Sequence, residues 1–394
     1  MRIVFTFPFC LGSSGGGPVH CEQLASHMRA QGCDVTILPI AAPWGKWGAR
    51  KETAISSRET RLREKCVEVI RVRPHPFHYA LDSLELRKQI KTVASRESID
   101  AVLSWWTEAA FLPGCLRRLG IFFAMMAAGS YTDRITFRPT RVQILMDSFL
   151  LWRPLRKADV IYANSKFTRR EVVTIAGAAE DRVQVTYCGI EPSFREVPRV
   201  YSGVPKRFIY FGHMTGPKGL GHTLDALGRL KRSGVNDWTL RIAGWGVEDR
   251  VRRTAEVYGI ADQIEILGPV SRAQLMTELE WAQLAILPSQ VDSFGLVAAE
   301  AQAAGLPVIG YDVGGIPEVV DSGNTGWLVP LGRVDLIADA IVEAINNPME
   351  TFKRGIAGRK VTERFSWDRV ASSILTNIDA QLSRLRAKKT SLLH

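Results

Sequence analysis

The sequence predicts an α/β protein made of two Rossmann-like domains, each built on a parallel sheet, and three observations support this prediction. Residues 2–38 have the pattern of a strand, a glycine-rich loop, a helix and a second strand, which opens a parallel sheet. The same alternation starts again at residues 207–211, after a segment at 192–205 that is rich in proline and glycine. A chain of 394 residues is long enough for two domains with separate cores.

The predicted elements follow this division along the chain. Apolar runs predict strands of the first domain at 2–7, 34–38, 67–72, 101–104, 121–127, 159–163 and 183–185, with helices at 19–30 and 82–97 and one that ends near 176. In the second domain they predict strands at 207–211, 240–243, 264–267 and 285–287, and helices that end near 232, 304, 346 and 363. We therefore expect a first domain at 1–190, a linker at 191–205, a second domain at 206–365 and a C-terminal helix at 366–394.

The charge of the chain is uneven. Up to Arg195 there are 28 basic and 18 acidic residues, whereas the remainder of the chain has 23 basic and 22 acidic residues. The first domain is therefore a candidate for contact with an anionic surface, and the alternative is an ordinary solvated surface.

Residues 141–157 predict an amphipathic helix that ends in Trp152-Arg153-Pro154-Leu155-Arg156-Lys157. A tryptophan beside several cations suits an anionic membrane surface, although a helix packed on the sheet would show the same pattern.

The cysteines and the N-terminal sequence favour a location in the cytoplasm. Six cysteines, at 10, 21, 33, 66, 115 and 188, form no Cys-x-x-Cys pair and predict reduced thiols. His75 and His78 lie close in sequence, but a proline-broken loop without a third ligand indicates a metal site only weakly. The chain starts with a strand rather than a signal peptide, and no apolar run approaches about twenty residues. We expect a cytoplasmic protein, peripheral at the inner face of the membrane.

The most informative stretch of the sequence is 288–318. A short apolar run ends at Pro288, and after a polar turn an alanine-rich helix is predicted from Phe294 to Ala304, with Gly305 as its C-cap. The start of this helix lies at the carboxyl end of a strand, where a parallel sheet binds ligands and where free amides favour an anion. Asp292 in the turn and Glu300, eight positions later, supply carboxylates that suit the paired hydroxyls of a ribose or hexose.

This stretch resembles the donor-binding signature of the family 4 glycosyltransferases, which are retaining enzymes of the GT-B fold. In that family two acids eight positions apart bracket an x-Phe-Gly-x turn, and a Gly-x-Pro-Val strand and a Gly-Gly-x-x-Glu loop follow. Here the second acid is Glu300, and Asp292 stands where the family usually has Glu. The resemblance implies two Rossmann-like domains that face each other across a cleft, with a last helix that crosses back to the first domain.

The resemblance also implies the residues of the site. Lys218 matches the family's diphosphate-binding lysine, whereas His213, five positions earlier, replaces an arginine and offers no fixed charge. The family's histidine near the sugar falls at Ala128 or Gly129, so Tyr131 or Asp133 is expected on the acceptor side. The expected catalytic residues are Asp292, Glu300 and Lys218, and the expected donor-binding residues are Gly15, Gly16, Gly17, His213, Gly244, Val270, Ser293, Phe294, Gly295 and Leu296.

The implied activity is the transfer of a hexose, with retention, from a UDP- or GDP-linked sugar to a glycan, a glycolipid or a lipid-linked acceptor. The resemblance implies neither metal nor cofactor, and we expect no nucleic acid partner. The charge of the first domain and the segment 152–157 add an anionic membrane surface as a candidate partner. Two other classes stay open. One is a GT-B subunit that has lost activity, because of Asp292, His213 and the absent histidine. The other is a serine hydrolase, because Gly12-x-Ser14-x-Gly16 matches a nucleophile elbow. A redox enzyme is disfavoured because Asp249 stands where a dinucleotide fingerprint needs glycine.

Overall fold

The computed structural model describes residues 1–8, 16–40, 59–72, 81–105, 107–129 and 148–391. The chain forms two compact units. The first contains Met1–Gly189 together with Trp367–His394, and the second is Ile190–Ser366. Both units are layered α/β structures with a parallel sheet at the centre, as the alternation of strands and helices in the sequence predicts.

The first unit contains a seven-stranded sheet. The strands lie in the order β3-β2-β1-β4-β5-β6-β7. All neighbouring strands pair in parallel, and Ile3 of β1 lies between Val35 of β2 and Ala101 of β4. The strand bounds are β1 Arg2–Phe7, β2 Asp34–Pro39, β3 Glu68–Val69, β4 Ala101–Ser104, β5 Phe122–Ala127, β6 Val160–Ala163 and β7 Val183–Val185.

Helices cover this sheet and form one core with it on each face. Their bounds are α1 Gly16–Ala30, α2 Asp82–Arg96, α3 Pro113–Leu119, α4 Arg153–Lys157, α5 Lys166–Thr174 and, at the C-terminus, α12 Trp367–Ser391. The C-terminal helix belongs to the first unit because Trp367 and Ile374 are part of the same buried cluster as Phe5. The hydroxyl of Tyr162 on β6 also donates a hydrogen bond to the Asn377 side chain at 2.8 Å.

The second unit contains a six-stranded parallel sheet in the order β10-β9-β8-β11-β12-β13. This is the strand order of a Rossmann fold, in which the chain reverses its direction of winding between the first and fourth strands. In this unit the reversal lies between β8 and β11, which pair through Phe208 and Leu284. The strand bounds are β8 Arg207–Phe211, β9 Thr239–Ala243, β10 Ile264–Gly268, β11 Leu284–Ile286, β12 Val308–Tyr311 and β13 Gly326–Val329.

The helices of the second unit connect these strands. Their bounds are α6 Leu220–Arg232, α7 Glu248–Val257, α8 Arg272–Trp281, α9 Leu296–Ala303, α10 Val334–Asn346 and α11 Pro348–Val361. Short 3₁₀ turns lie at Pro192–Phe194, Gly216–Lys218, Ile316–Glu318 and Thr362–Arg364. The helix predicted from Phe294 begins later, at Leu296, because Gly295 is a left-handed N-cap with φ of 88°. Gly305 follows the helix with a φ of 75°, as a C-cap glycine should.

The segment predicted as an amphipathic helix at 141–157 lies partly outside the described residues. Its described part is a π-helical turn at Ser148–Trp152 that continues into α4. Trp152 is half-buried and packs against the core of the first unit, whereas Arg153, Arg156 and Lys157 are exposed. In the described part of the chain, no helix combines the length and the apolar character needed to cross a membrane.

Candidate active site

Two loops meet at the carboxyl edge of the second sheet, at the point where its winding reverses. One loop follows β8 and contains Gly216–Lys218, and the other runs from β11 to α9. Gln290 joins them, because its backbone amide donates to the Pro217 carbonyl at 2.8 Å and its side chain donates to the Gly216 carbonyl at 2.9 Å. Gly219 has a φ of 77°, and a Cβ there would lie 1.8 Å from the Pro288 carbonyl oxygen. The two loops can therefore approach this closely only with glycine at 219.

The Asp292 carboxylate connects the second loop to the first. Its Oδ1 accepts hydrogen bonds from the amides of Phe294 at 3.2 Å and Gly295 at 2.7 Å. Its Oδ2 pairs with the Lys218 ammonium at 2.8 Å. The side chains of Lys218 and Asp292 are 35% and 15% exposed, so the pair lies at the protein surface with the carboxylate mostly covered. Asp292 thus fixes the turn before α9 and at the same time holds the lysine.

A third loop, after β12, supports the same turn. The amide of Gly315 donates to the Asp292 carbonyl at 3.0 Å. Gly314 has a φ of 59°, and a Cβ there would lie 1.8 Å from the Asp292 carbonyl oxygen, so this close approach also requires glycine. Phe294 is 2% exposed, and its ring meets that of Phe365 edge-on at 5.3 Å. The Phe-Gly turn is therefore anchored by packing on one side and by the glycine loop on the other.

Glu300 lies further along α9 beside a second group of charges. The Arg272 guanidinium, on the first residue of α8, lies 3.7 Å from Glu300 and 2.7 Å from the Glu191 carboxylate. The Glu300 side chain is 15% exposed. Burial raises the pKa of Glu300 to about 7, Arg272 opposes the rise, and the negative charge of Glu191 adds to it. A carboxyl group with this pKa changes its charge near neutral pH.

His213 lies after β8, half-buried, between Gly212 and the loop that carries Lys218. Its backbone carbonyl accepts a hydrogen bond from the Tyr210 hydroxyl at 2.7 Å, and the same hydroxyl lies 3.2 Å from the Lys218 carbonyl. Burial, and secondarily the charge of Lys218, lower the pKa of His213 below its ordinary value. His213 is therefore a neutral imidazole at pH 7 and brings no positive charge to the site.

The other expected residues of the second unit lie at the same edge of the sheet. Gly244 follows β9, and its amide donates to the Gly268 carbonyl at the end of β10 at 2.8 Å. Val270 is half-buried and precedes Ser271, which caps α8 through a reciprocal pair of hydrogen bonds with Gln274. Ser293 and Leu296 are half-buried on either side of the Phe-Gly turn.

Several expected residues belong to the first unit. Gly16 and Gly17 are exposed and form the first two residues of α1. Ala128 and Gly129, where the family's histidine was expected, are half-buried after β5. Gly15, Ser14, Tyr131 and Asp133 lie outside the described residues, as do His75 and His78. The described residues include no group of three or more His, Cys, Asp or Glu side chains arranged to hold a metal ion.

Two functional candidates were missed by reasoning from the sequence. Gln290 joins the loops, and no local pattern distinguishes it from any other polar turn residue. Arg272 could have been noticed, because a cation on the first residue of a helix faces the positive end of the helix dipole. Lys218, in the 3₁₀ turn just before α6, is likewise a cation near the start of a helix. In both cases the structure places a carboxylate against the cation.

The site offers three kinds of groups to a ligand. A lysine and the first turn of a helix suit an anion, since the amides of a first turn have no acceptors within the helix. Two of the amides expected to face an anion, those of Phe294 and Gly295, instead donate to Asp292. The next amide along the chain is that of Leu296, the first helical residue. Glu300 adds an acid that can accept hydrogen bonds from hydroxyl groups.

Comparison with known proteins identifies the family of this chain. The family model described as glycosyl transferases group 1 matches residues 199–361, and the model of glycosyltransferase family 4 matches residues 14–194. Together these two models span most of the chain. The chain is 28% identical over 383 residues to a phosphatidyl-myo-inositol mannosyltransferase of Mycobacterium leprae, covering 95% of this chain and 96% of that protein.

Other relatives match over a shorter length. A D-inositol 3-phosphate glycosyltransferase of Mycolicibacterium smegmatis is 30% identical over 246 residues, which is 59% of this chain and 55% of that protein. The corresponding protein of Gordonia bronchialis is 29% identical over 252 residues and is covered to 54%. The chain therefore spans about half the length of these D-inositol 3-phosphate glycosyltransferases.

Solved structures share the fold. A sucrose-phosphate synthase from Thermosynechococcus elongatus superposes with a TM-score of 0.77 at 17% identity, covering 97% of this chain and 99% of that one. The Anabaena protein HepE in complex with UDP and glucose superposes with a TM-score of 0.75 at 17% identity, covering 96% and 100%. These structures, the two family models and the Rossmann order of the second sheet agree with the fold expected from residues 288–318. The chain belongs to the family 4 glycosyltransferases and has their GT-B fold.

Proposed function

We propose that this glycosyltransferase transfers a hexose, with retention of configuration, from a UDP- or GDP-linked sugar to a glycan, glycolipid or lipid-linked acceptor. One observation carries the proposal: Lys218, Asp292 and the start of α9 converge where the winding of the second sheet reverses. Ligands of Rossmann-like domains bind at such a reversal, outside the carboxyl ends of the strands.

The proposed role of Lys218 is to bind the diphosphate of the donor. An ammonium group has three donors, and the pair with Asp292 uses one of them. The remaining donors and the first turn of α9 would stabilise the charge that develops on the departing nucleoside diphosphate. Because a fixed cation and fixed amides can do this without a metal ion, we propose that the reaction needs none.

The proposed roles of the two acids differ because their surroundings differ. Among the described residues, the Glu300 carboxylate pairs with Arg272 at 3.7 Å, and we infer that its oxygens accept hydrogen bonds from the ribose hydroxyls. Asp292 already accepts two amides on Oδ1 and pairs with Lys218 through Oδ2. We infer that Asp292 orients the sugar chiefly by fixing the Phe-Gly turn and Lys218. Each of its carboxylate oxygens can also accept a further hydrogen bond from a sugar hydroxyl.

The relatives support the donor and acceptor classes. The Mycobacterium leprae relative is by its name a mannosyltransferase that acts on phosphatidyl-myo-inositol. The Anabaena structures contain UDP with glucose, and UDP-glucose. We therefore propose a nucleoside diphosphate hexose as the donor and an acceptor with a lipid or glycan part.

A second candidate is a GT-B subunit without turnover that binds a partner instead. It is favoured by the chemistry at two positions, since His213 is neutral and Asp292 has both oxygens engaged within the protein. A subunit of this kind would bind a nucleotide weakly and would transfer no sugar. The serine hydrolase alternative depends on Ser14, which is not among the described residues.

The basic first unit supports a peripheral contact with an anionic membrane from the cytoplasmic side. Phe149 is 47% exposed, and the guanidinium of Arg153 lies 5.4 Å from the centre of its ring. Lys157 is exposed on the next turn. An exposed aromatic ring beside cations suits the interface of a bilayer that contains anionic lipids.

The first prediction concerns the nucleotide. UDP or GDP should raise the melting temperature of the full chain in the presence of a chelator, because a ligand that binds the native state stabilises it. Each nucleotide is titrated separately, with adenosine diphosphate as the matched control. Failure of all nucleotides to shift the melting temperature, with or without added magnesium, would exclude the proposed donor class.

The second prediction separates Lys218 from Asp292. Lys218→Met removes the cation and should weaken the nucleoside diphosphate about tenfold or more. Asp292→Asn keeps an oxygen for the amides of Phe294 and Gly295 but releases Lys218, so the diphosphate should bind as well as before or up to about tenfold more tightly. The same variant should lower kcat/KM about ten- to a thousandfold, since orientation of the sugar is lost. Calorimetry and initial rates measure the two effects.

Asp292→Glu, which restores the usual family residue, serves as the comparison. If Asp292 is an impaired version of the family's glutamate, the Glu variant should keep or gain activity. If the site has adapted to the shorter side chain, Glu should conflict sterically with the donor and lower activity. Full turnover by Asp292→Asn with the true donor would show that the Asp292 charge has no role in the reaction.

The third prediction concerns the membrane. The protein should sediment with vesicles of anionic lipid at low salt and be released at high salt, because screening weakens attraction between surface charges. Phe149→Ser combined with Arg153→Gln should reduce sedimentation severalfold. Arg252→Gln with Arg253→Gln, on the exposed face of α7 in the second unit, removes at least as much charge and should have little effect. Equal recovery with neutral and anionic vesicles would argue for a soluble acceptor.

A further inference from the structure

Arg272 is fixed on several sides by groups of the second unit. Its guanidinium pairs with Glu191 at 2.7 Å, lies 3.7 Å from Glu300 and stacks 4.7 Å from the centre of the buried Phe194 ring. Glu191 and Phe194 belong to the segment with which the chain enters the second unit, whereas Glu300 lies on α9. One side chain therefore connects this segment to the acid of the proposed donor site.

The location of Arg272 is electrostatically unfavourable for the helix that carries it. It is the first residue of α8, where the helix dipole and the first amides are positive. The Ser271 and Gln274 side chains cap this helix, and an arginine side chain has no acceptor with which to do so. The favourable interactions of Arg272 are thus with the two carboxylates and the aromatic ring.

We propose that Arg272 is a positioning residue, which holds the Glu300 carboxylate charged and oriented for the donor's ribose, and that Glu191 moderates this effect by sharing the guanidinium. The proposal rests on the proposed function, because it assigns the ribose hydroxyls to Glu300. It predicts that Arg272 and Glu191 shift the protonation equilibrium of Glu300 in opposite directions.

Burial makes the charge of Glu300 sensitive to its neighbours. The pKa of Glu300 is raised to about 7, first by burial, and Arg272 and Glu191 shift it in opposite directions. Two arginines lie on elements that pack against α9, Arg359 on α11 and Arg364 in the turn after it, and both bind backbone carbonyls. Arg359 donates to the carbonyls of Val197 and Ala304, and Arg364 donates to the Glu318 carbonyl. Below about pH 7 Glu300 becomes protonated, and a neutral acid accepts hydrogen bonds from hydroxyls less strongly.

The experiment measures the affinity of UDP and GDP between pH 6 and pH 9 by calorimetry. The terminal phosphate of a free nucleotide titrates near pH 6, so each variant is compared with wild type at the same pH. Arg272→Met should weaken binding about fivefold at pH 7 and less than twofold at pH 9, where Glu300 ionises without help. Arg272→Lys keeps the charge and should restore most of the affinity at pH 7.

Glu191→Gln should have the opposite effect, since it removes the competing anion and leaves Arg272 to Glu300 alone. Binding at pH 6 should become about twofold tighter and should not change at pH 9. In a Glu300→Gln background, Arg272→Met should change affinity equally at all pH values. Weakening by Arg272→Met that is independent of pH in the wild-type background would show a merely structural arginine and would overturn the proposal.

The Glu300 carboxyl is also followed directly, by the ¹³C resonance of labelled glutamate in the full chain without nucleotide. Glu300→Gln assigns the resonance by its loss. Arg272→Met should move its titration to higher pH, and Glu191→Gln should move it to lower pH. If neither variant moves the titration of Glu300, the proposed coupling of Arg272 and Glu191 to Glu300 is overturned. A titration that moves as expected, with no nucleotide bound at any pH, supports the coupling and contradicts the proposed function.

Discussion

The ion pair between Lys218 and Asp292 is the interaction on which the candidate site depends. It joins the loop after β8 to the loop after β11, the two strands between which the sheet changes its direction of winding. A pair that is partly open to water adds little to the stability of a fold. Its importance lies in geometry, because the same carboxylate also fixes the amides at the start of α9. The positions of Lys218, the Phe-Gly turn and the start of α9 therefore all depend on this carboxylate.

A second group of charges, formed by Glu300, Arg272 and Glu191, lies further along α9. The acid of each group has different surroundings. Asp292 is held by the amides of Phe294 and Gly295 and by the ammonium group of Lys218. Glu300 is buried beside one guanidinium that it shares with Glu191, and its pKa is raised to about 7. One acid of the family signature is thus fixed in place by hydrogen bonds and an ion pair, whereas the charge of the other depends on its neighbours.

Much of this arrangement could be predicted from the sequence. The alternation of strands and helices, the linker-like segment and the stretch from Pro288 to Glu318 predicted the α/β fold, and the strand Arg207–Phe211 has the predicted bounds. Lys218 was predicted as a diphosphate-binding lysine, and the structure places the Asp292 carboxylate against it. Arg272 was missed because its partners at 191 and 300 are distant in sequence, and only the folded sheet brings them together. Burial of Glu300, which sets its pKa, is likewise a property of the packing and not of any local pattern.

The loops joined by Lys218 and Asp292 are proposed to bind the nucleoside diphosphate, and amide hydrogen exchange measures this directly. The full chain is exchanged with and without saturating UDP or GDP, and exchange is read peptide by peptide. We expect slower exchange in peptides that contain residues 212–219 and 292–297, and loss of this protection in Lys218→Met at matched nucleotide concentration. Protection confined to other segments while the nucleotide is bound would contradict it.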